Sequence, residues 1–374
     1  MKKVMHVISS LGVGGAETVL LRMVLRDTKG EHIVVSMLDD GEYRARLTEA
    51  GIAVYSLGMS RGGFEPLMAL KLFRLIRLLK PDVIQTWMYH ADLLGGVVGR
   101  LAGVKNVYWN IRSAVITQIM PLSTRFAIRL GKLLSSYVPR AVVVNSEHAC
   151  TVHRRLGYSG KKMVTIPNGI PMDRFCFDIS ARLKLRKKLG LSDDFVTLGM
   201  IARYDVFKDH RNLIRSLKLL ILDGLEFTVL LAGKGMESTN KQLVKLLREF
   251  EVEDRVYLLG PISNVSAVLS AIDIHVLSSA GESFPNVVVE AMACGVPCVA
   301  TDVGDVRQVM GDTGWVVPPA DAEKLASAIK EASAAFQDRD CWRRRKLKVR
   351  ERVLNHYSLD VMLTSFWRLW GGAG

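Results

Sequence analysis

The stretch Glu282-Ser283-Phe284-Pro285-Asn286-Val287-Val288-Val289-Glu290-Ala291-Met292-Ala293-Cys294-Gly295-Val296-Pro297 decides the architecture. Its polar start runs into Pro285, whose missing N–H costs nothing in a first helical turn. The helix predicted there carries two carboxylates, Glu282 in the loop before it and Glu290 about two turns inside. Gly295-Val296-Pro297 then turns the chain into the apolar run 299–301, which reads as a buried strand. The helix start turns the amides around Ser283, Phe284, Asn286 and Val287 outward, where free N–H groups and the helix dipole hold phosphate or sugar hydroxyls. Carboxylates beside them accept hydrogen bonds from neighbouring hydroxyls of a sugar or ribose.

Outward from this point, short β-branched runs alternate with helix-length amphipathic segments, the pattern of a parallel sheet flanked by helices. One series of strands is predicted at 196–201, 227–232, 256–260, 274–278 and 299–301. An earlier one lies at 4–9, 32–37, 53–56, 83–86, 107–110, 141–145 and 163–166. A chain of 374 residues exceeds the size at which one hydrophobic core stops growing, so two domains are expected. The linker is read at 171–194, where Pro171 precedes a basic stretch around Lys184 and Lys188. The expected division is 1–180, 181–356, and a C-terminal helix over 357–374 that crosses back onto the first domain.

The start Met1-Lys2-Lys3 mimics a secretory signal, but its apolar run ends near Leu11 in a glycine loop without a cleavage site, and a first strand is the better reading. No apolar stretch approaches the ~20 residues that span a bilayer. The five cysteines are an odd number without metal or redox spacing, as expected of reduced thiols in a cytoplasmic protein. Residues 1–180 hold 24 Lys and Arg against 13 Asp and Glu, so nearly all of the net charge of +14 sits there and favours anionic partners.

Two cations follow strand 196–201, Arg203 and Lys208, in a loop at the carboxyl end of a parallel strand, where open α/β sheets bind ligands. Arginine's planar fork and lysine's compact charge can share the oxygens of a diphosphate. Gly12, Gly14 and Gly15 form a loop after the first strand that lets backbone approach a ligand closely, though not with the spacing of the dinucleotide fingerprint. His90 closes strand 83–86, and Arg112, Asn145 and Ser146 end two others at the same edge.

With Pro167-Asn168-Gly169-Ile170 and Gly12-Val13-Gly14-Gly15-Ala16-Glu17, these residues resemble the retaining glycosyltransferases of family 4, over nearly the whole chain and in order. Pro171 departs from the family's usual acidic residue. The resemblance implies a GT-B fold, two Rossmann-like domains whose parallel sheets face across a cleft. The first domain would bind the acceptor and the second the nucleotide-sugar. It implies that Arg203 and Lys208 hold the donor diphosphate, that Glu282 contacts the transferred sugar and Glu290 the ribose, and that backbone near Gly260 and Ile262 selects the base. Gly14 and Gly15 would approach the sugar and diphosphate, and His90 would bond the donor sugar or transition state.

Because no carboxylate pair declares itself as nucleophile and acid/base, front-face substitution is the expected mechanism. Cationic side chains and amides offset the diphosphate charge, so no metal or other cofactor is implied, and no Asp-x-Asp metal motif is read. The resemblance favours a UDP-linked hexose or N-acetylhexosamine, with GDP-mannose next, and a glycan or lipid-diphosphate acceptor in capsule, exopolysaccharide or lipopolysaccharide synthesis. Arg112 is the expected acceptor-phosphate ligand, with Asn145 and Ser146 in support.

Lys71, Arg74 and Arg77, and Arg125, Arg129 and Lys132, recur along one side of two predicted helices. They suggest peripheral contact with anionic lipid at the inner face of the cytoplasmic membrane. Nucleic acid is not expected as a partner, since the cations are not interleaved with exposed aromatics. The competing readings are a nucleotide-sugar epimerase of the same fold and a non-catalytic nucleotide-sugar or RNA binder.

Overall fold

The computed structural model describes residues 1–39, 41–59, 66–114, 116, 120–192 and 194–371, and the chain forms two compact units. The first, Met1–Gly169 with Leu359–Gly374, is built on seven parallel strands. They are β1 (Lys2–Ile8), β2 (Gly30–Ser36), β3 (Ala53–Ser56), β4 (Val83–Trp87), β5 (Val107–Ile111), β6 (Ala141–Val144) and β7 (Met163–Thr165), in the order β3-β2-β1-β4-β5-β6-β7. The second, Ile170–Ser358, holds β8 (Val196–Ile201), β9 (Phe227–Ala232), β10 (Val256–Gly260), β11 (Ile274–Leu277), β12 (Cys298–Thr301) and β13 (Trp315–Val317), in the order β10-β9-β8-β11-β12-β13. Runs such as Ala-Val-Val-Val in β6 are buried throughout because helices cover both faces of each sheet. Strand β13 is absent from the expectation: it has three residues, all half-buried, at the sheet edge.

The first unit ends at Gly169 rather than at residue 180. The segment after it belongs to the second unit because it is pinned there. Ile170 donates its amide to Tyr357 O at 2.8 Å, Phe175 is buried in the second core, and Pro171 opens the turn that places Phe175. The basic stretch read as linker is helix Ile179–Leu189. Its Arg182 pairs with Asp273 at 2.9 Å, while buried Arg186 donates to Thr197 Oγ1 at 2.9 Å.

The last helix, Leu359–Leu369, packs on the first sheet. Phe366, Trp367 and Trp370 join Val4, Ile8, Trp87 and Tyr108 in one core. Polar groups seat the aromatic rings: the Trp367 indole donates to Asp27 Oδ2 at 2.7 Å and that of Trp370 to Gln85 Oε1 at 3.0 Å. Behind them runs a buried chain, Trp87 Nε1 to His6 Nδ1 at 3.3 Å, His6 Nε2 to His32 Nδ1 at 2.9 Å and His32 Nε2 to Asp27 Oδ2 at 3.0 Å. Gly30 makes room, since a Cβ there would lie 2.9 Å from the Trp367 ring.

Candidate active site

In the second sheet the winding direction switches between β8 and β11, and open α/β sheets collect ligands outside the carboxyl ends of strands at such a point. The loop after β8 brings Arg203 and Lys208 there, and the loop after β11 brings Glu282. The Lys208 ammonium is hydrogen-bonded to Glu282 Oε1, which also accepts from Ser279 Oγ at 2.8 Å. Both charged side chains are mostly shielded, at 19% and 13% exposure, so their field is screened less than that of a surface pair. The two loops are tied together: Ala280 N donates to Phe207 O at 2.8 Å, and Ser278 Oγ lies 3.0 Å from Lys208 O. Thr301 Oγ1 donates to Ser279 O at 2.6 Å and fixes the serine that orients Glu282.

Arg203 is 68% exposed and pairs with Asp205 at 3.1 Å. Burial alone would raise the Asp205 pKa, but the Phe207 amide and Arg203 hold it below the usual range. Asp209 adopts a left-handed conformation (φ 44°) and caps helix His210–Leu222 by accepting from Asn212 N at 3.1 Å. Burial, helped by the Lys208 charge, pulls the His210 pKa down to about 4, so its imidazole is neutral.

Helix Asn286–Ala293 begins one residue later than expected, with Pro285 at the cap position. The ψ of Pro285 is 71°, outside the helical range, and its carbonyl accepts from Val288 N and Val289 N. Phe284 is buried against Tyr357, anchoring the loop, while Ser283, Asn286, Val287 and Glu290 remain part-exposed around the helix start. Gly260 ends β10 at φ 66°, its amide donating to Met236 O and its carbonyl accepting from Gly233 N; Ile262 packs against the core beyond it. Four neighbours were missed by the sequence reading. Ser279 carries no motif signal. Gly233 and Gly235 do, as a Gly-x-Gly after a strand, and Glu237 beside Gly260 has a buried Oε2 without a hydrogen-bond partner.

In the first unit, Gly14 caps helix Gly15–Arg26, and Gly15 opens it with free space beside its Cα. His90 sits half-buried in the first turn of helix Tyr89–Leu101, and burial lowers its pKa. Arg112 corrects the expectation of an accessible phosphate ligand. It is only 9% exposed, donates from Nη1 to Ile166 O at 3.0 Å and to Asn168 Oδ1 at 2.8 Å, and lies 5.6 Å from the Trp87 and Phe366 rings. Burial lowers its pKa to about 9, which still leaves it charged at neutral pH. Ser146 accepts from Ala149 N at 2.9 Å as a helix cap, and the buried Asn145 donates to Arg112 O at 3.4 Å. Arg129 and Lys132 are exposed on helix Leu122–Leu134, and Arg125 is half-buried.

The chain does contain one Asp-x-Asp, Asp338 and Asp340, contrary to the sequence reading. Asp338 caps helix Arg339–His356, accepting from Cys341 N at 2.9 Å.

Two family models match the chain in succession, "Glycosyltransferase Family 4" over residues 13–174 and "Glycosyl transferases group 1" over 195–334. This chain belongs to glycosyltransferase family 4. Its two Rossmann-like units are those of the GT-B fold, and a crystal structure of Anabaena HepE in complex with UDP matches this chain with a TM-score of 0.84 at 20% identity, over 99% of this chain and 100% of that one.

Among relatives of this chain, N-acetyl-alpha-D-glucosaminyl L-malate synthase of Bacillus anthracis is 29% identical over 49% of this chain and 47% of its own length. An Escherichia coli enzyme, UDP-Gal:alpha-D-GlcNAc-diphosphoundecaprenol alpha-1,3-galactosyltransferase, is 23% identical over 63% of this chain and 61% of its own. The match therefore spans about half to three fifths of these two relatives. A Campylobacter jejuni N-acetylgalactosamine-N,N'-diacetylbacillosaminyl-diphospho-undecaprenol 4-alpha-N-acetylgalactosaminyltransferase is 26% identical over 83% of this chain and 84% of its own.

Proposed function

We propose that this glycosyltransferase moves a hexose or N-acetylhexosamine, with retention, from a UDP-sugar to a glycan or lipid-diphosphate acceptor in cell-surface polysaccharide synthesis. The observation that carries the reading is the shielded Lys208–Glu282 pair at the switch point of the second sheet. Lys208 and Arg203 supply charge for the leaving diphosphate, and Glu282, held by Ser279, accepts from the sugar's hydroxyls. Glu290 accepts from the ribose, and His90 donates to the sugar as it departs. The names of the Escherichia coli and Campylobacter jejuni relatives, which specify diphosphoundecaprenol-linked acceptors, support the acceptor class. The leaving diphosphate takes the acceptor's proton on the same face, so the reaction runs without a divalent metal.

The test is thermal stabilisation by UDP-, GDP-, ADP- and dTDP-sugars, with and without EDTA. A UDP-sugar at 100 times its Kd is expected to stabilise the fold by about 2.7 kcal/mol, with or without EDTA, and Glu290→Ala to abolish the shift. A shift with GDP-mannose alone would reassign the base; a shift that EDTA removes would sink the metal-free mechanism.

We further propose that the first unit rests on anionic membrane. Helices Pro66–Leu79 and Leu122–Leu134 both pack on helix Tyr89–Leu101. They expose Leu67, Leu78, Leu122, Phe126 and Leu133 beside Lys71, Arg74, Arg77, Arg129 and Lys132. Among the described residues no helix is long and apolar enough to cross a membrane. Apolar and cationic side chains on one surface suit a leaflet of acidic phospholipid. In sedimentation with phosphatidylglycerol vesicles, Phe126→Ser is expected to weaken binding about tenfold. Equal binding to neutral vesicles would remove the electrostatic half of the reading.

A further inference from the structure

We propose that Asp92 is the positioning residue for His90, its carboxyl group clasping the strained Met88 corner to β4 and β5. The inference rests on the proposed role of His90 in transfer. Met88 has φ 70° and ψ 163°, a backbone region almost reserved to glycine, and such strain persists only where the surroundings hold it. The corner is held from three sides. Met88 N donates to Asn110 O at 2.8 Å, Asp92 N donates back to Met88 O at 2.9 Å, and Asn110 N donates to Asp92 Oδ1 at 3.2 Å. Thr86 Oγ1, at the end of β4, completes the clasp 2.5 Å from the same oxygen. His90 stands between Met88 and Asp92, so the direction of its ring follows from this corner.

The two oxygens of Asp92 are unequally served. Thr86 Oγ1 lies 3.1 Å from Tyr108 O as well as 2.5 Å from Asp92 Oδ1, and its one proton serves only one of these acceptors. That proton goes to the nearer acceptor, so Asp92 Oδ1 takes donors from both Thr86 and Asn110. Asp92 Oδ2 is buried without a hydrogen-bond partner, a situation far costlier for a carboxylate than for a neutral acid. The titratable groups coupled to Asp92 are Tyr89 from its own helix and Tyr158, with His153 behind them, 3.0 Å from Tyr89 Oη. Of the cations on the two flanking helices, Lys71, Arg74, Arg77, Arg129 and Lys132 are exposed and Arg125 is half-buried. Burial accordingly raises the Asp92 pKa to about 8, against the bonds from Thr86 and Asn110. As pH rises through that value a charge appears under the corner, and His90 loses its fixed direction.

Two measurements on the full chain decide the matter. In carboxyl-carbon NMR, Asp92 is expected to titrate near pH 8, and the His90 ring resonances to shift at the same pH. In transfer assays, Asp92→Ala is expected to lower kcat about 10- to 100-fold with the KM for donor unchanged. Asp92→Asn, which keeps the acceptor and cannot ionise, is expected to restore most of the loss and abolish the alkaline fall of kcat. An Asp92 carboxyl that titrates below pH 5, or an Asn variant as poor as the Ala variant, would overturn the proposal. Should no donor support turnover, the transfer reading fails and the NMR arm alone decides whether Asp92 governs His90.

Discussion

Lys208→Ala is expected to lower kcat for sugar transfer by about two to three orders of magnitude, the usual cost of removing one preorganised group that stabilises developing charge. The expectation follows from where the ammonium sits. Its charge is mostly shielded, its backbone is tied to the β11 loop through Ser278 and Phe207, and its partner Glu282 is oriented by Ser279. Arg203, exposed and paired with Asp205, has more freedom and more water around it, so Arg203→Ala is expected to cost less. Lys208→Arg separates charge from shape: it keeps the cation but replaces a point charge with a planar fork. Release of nucleoside diphosphate in single-turnover experiments reads the chemical step directly. A Lys208→Ala enzyme within about threefold of the parent would remove the lysine from the mechanism.

The second large effect concerns stability. Ending the chain at Ser358 is expected to unfold the first unit while leaving the second intact. Leu359, Met362, Leu363, Phe366, Trp367 and Trp370 are all buried against the first sheet. At about 1.5–3 kcal/mol for each buried side chain, their loss is on the order of 10 kcal/mol, comparable with the whole stability of a domain. Trp370→Ala is the milder form, costing about 3–5 kcal/mol because it opens a cavity and strands Gln85 Oε1, which accepts from the Trp370 indole. Calorimetry should show one melting transition lost in the truncated chain and the other in place. A truncated protein that kept both would contradict the assignment of this helix to the first core.

Most of the strands could be read from the sequence because strands buried on both faces are short apolar runs, and such runs need no tertiary information to be seen; their order in the sheets could not. The site was legible where loops follow those strands, since the carboxyl edge of a parallel sheet fixes the place of Arg203, Lys208, Glu282 and His90 without fixing their contacts. Side-chain direction was not legible. Arg112 follows β5 in register with Tyr108 and Asn110, on the face covered by Phe366, a residue far away in the chain. Only the folded chain reveals that its guanidinium is buried there. Ser146 has the composition of either a ligand or a helix cap, and the amide of Ala149 decides for the cap. The domain boundary was misplaced for a similar reason: the basic composition of helix Ile179–Leu189 suggests solvent, while Arg182 and Arg186 in fact reach inward to Asp273 and Thr197.

The return of the last helix to the first sheet also sets an order of events during synthesis. As the nascent chain leaves the ribosome, β1 through β7 emerge before the last helix, and the side of the sheet bearing His6, Trp87 and Tyr108, partly covered by helix Gly15–Arg26, lacks the rest of its covering until residues 359–370 have been made. The second unit can close on itself in the meantime, since its strands and helices are contiguous in the chain. Of the two units, the one translated first is thus the one completed last, and while it waits, the apolar surface that Phe366, Trp367 and Trp370 will cover stays open to water.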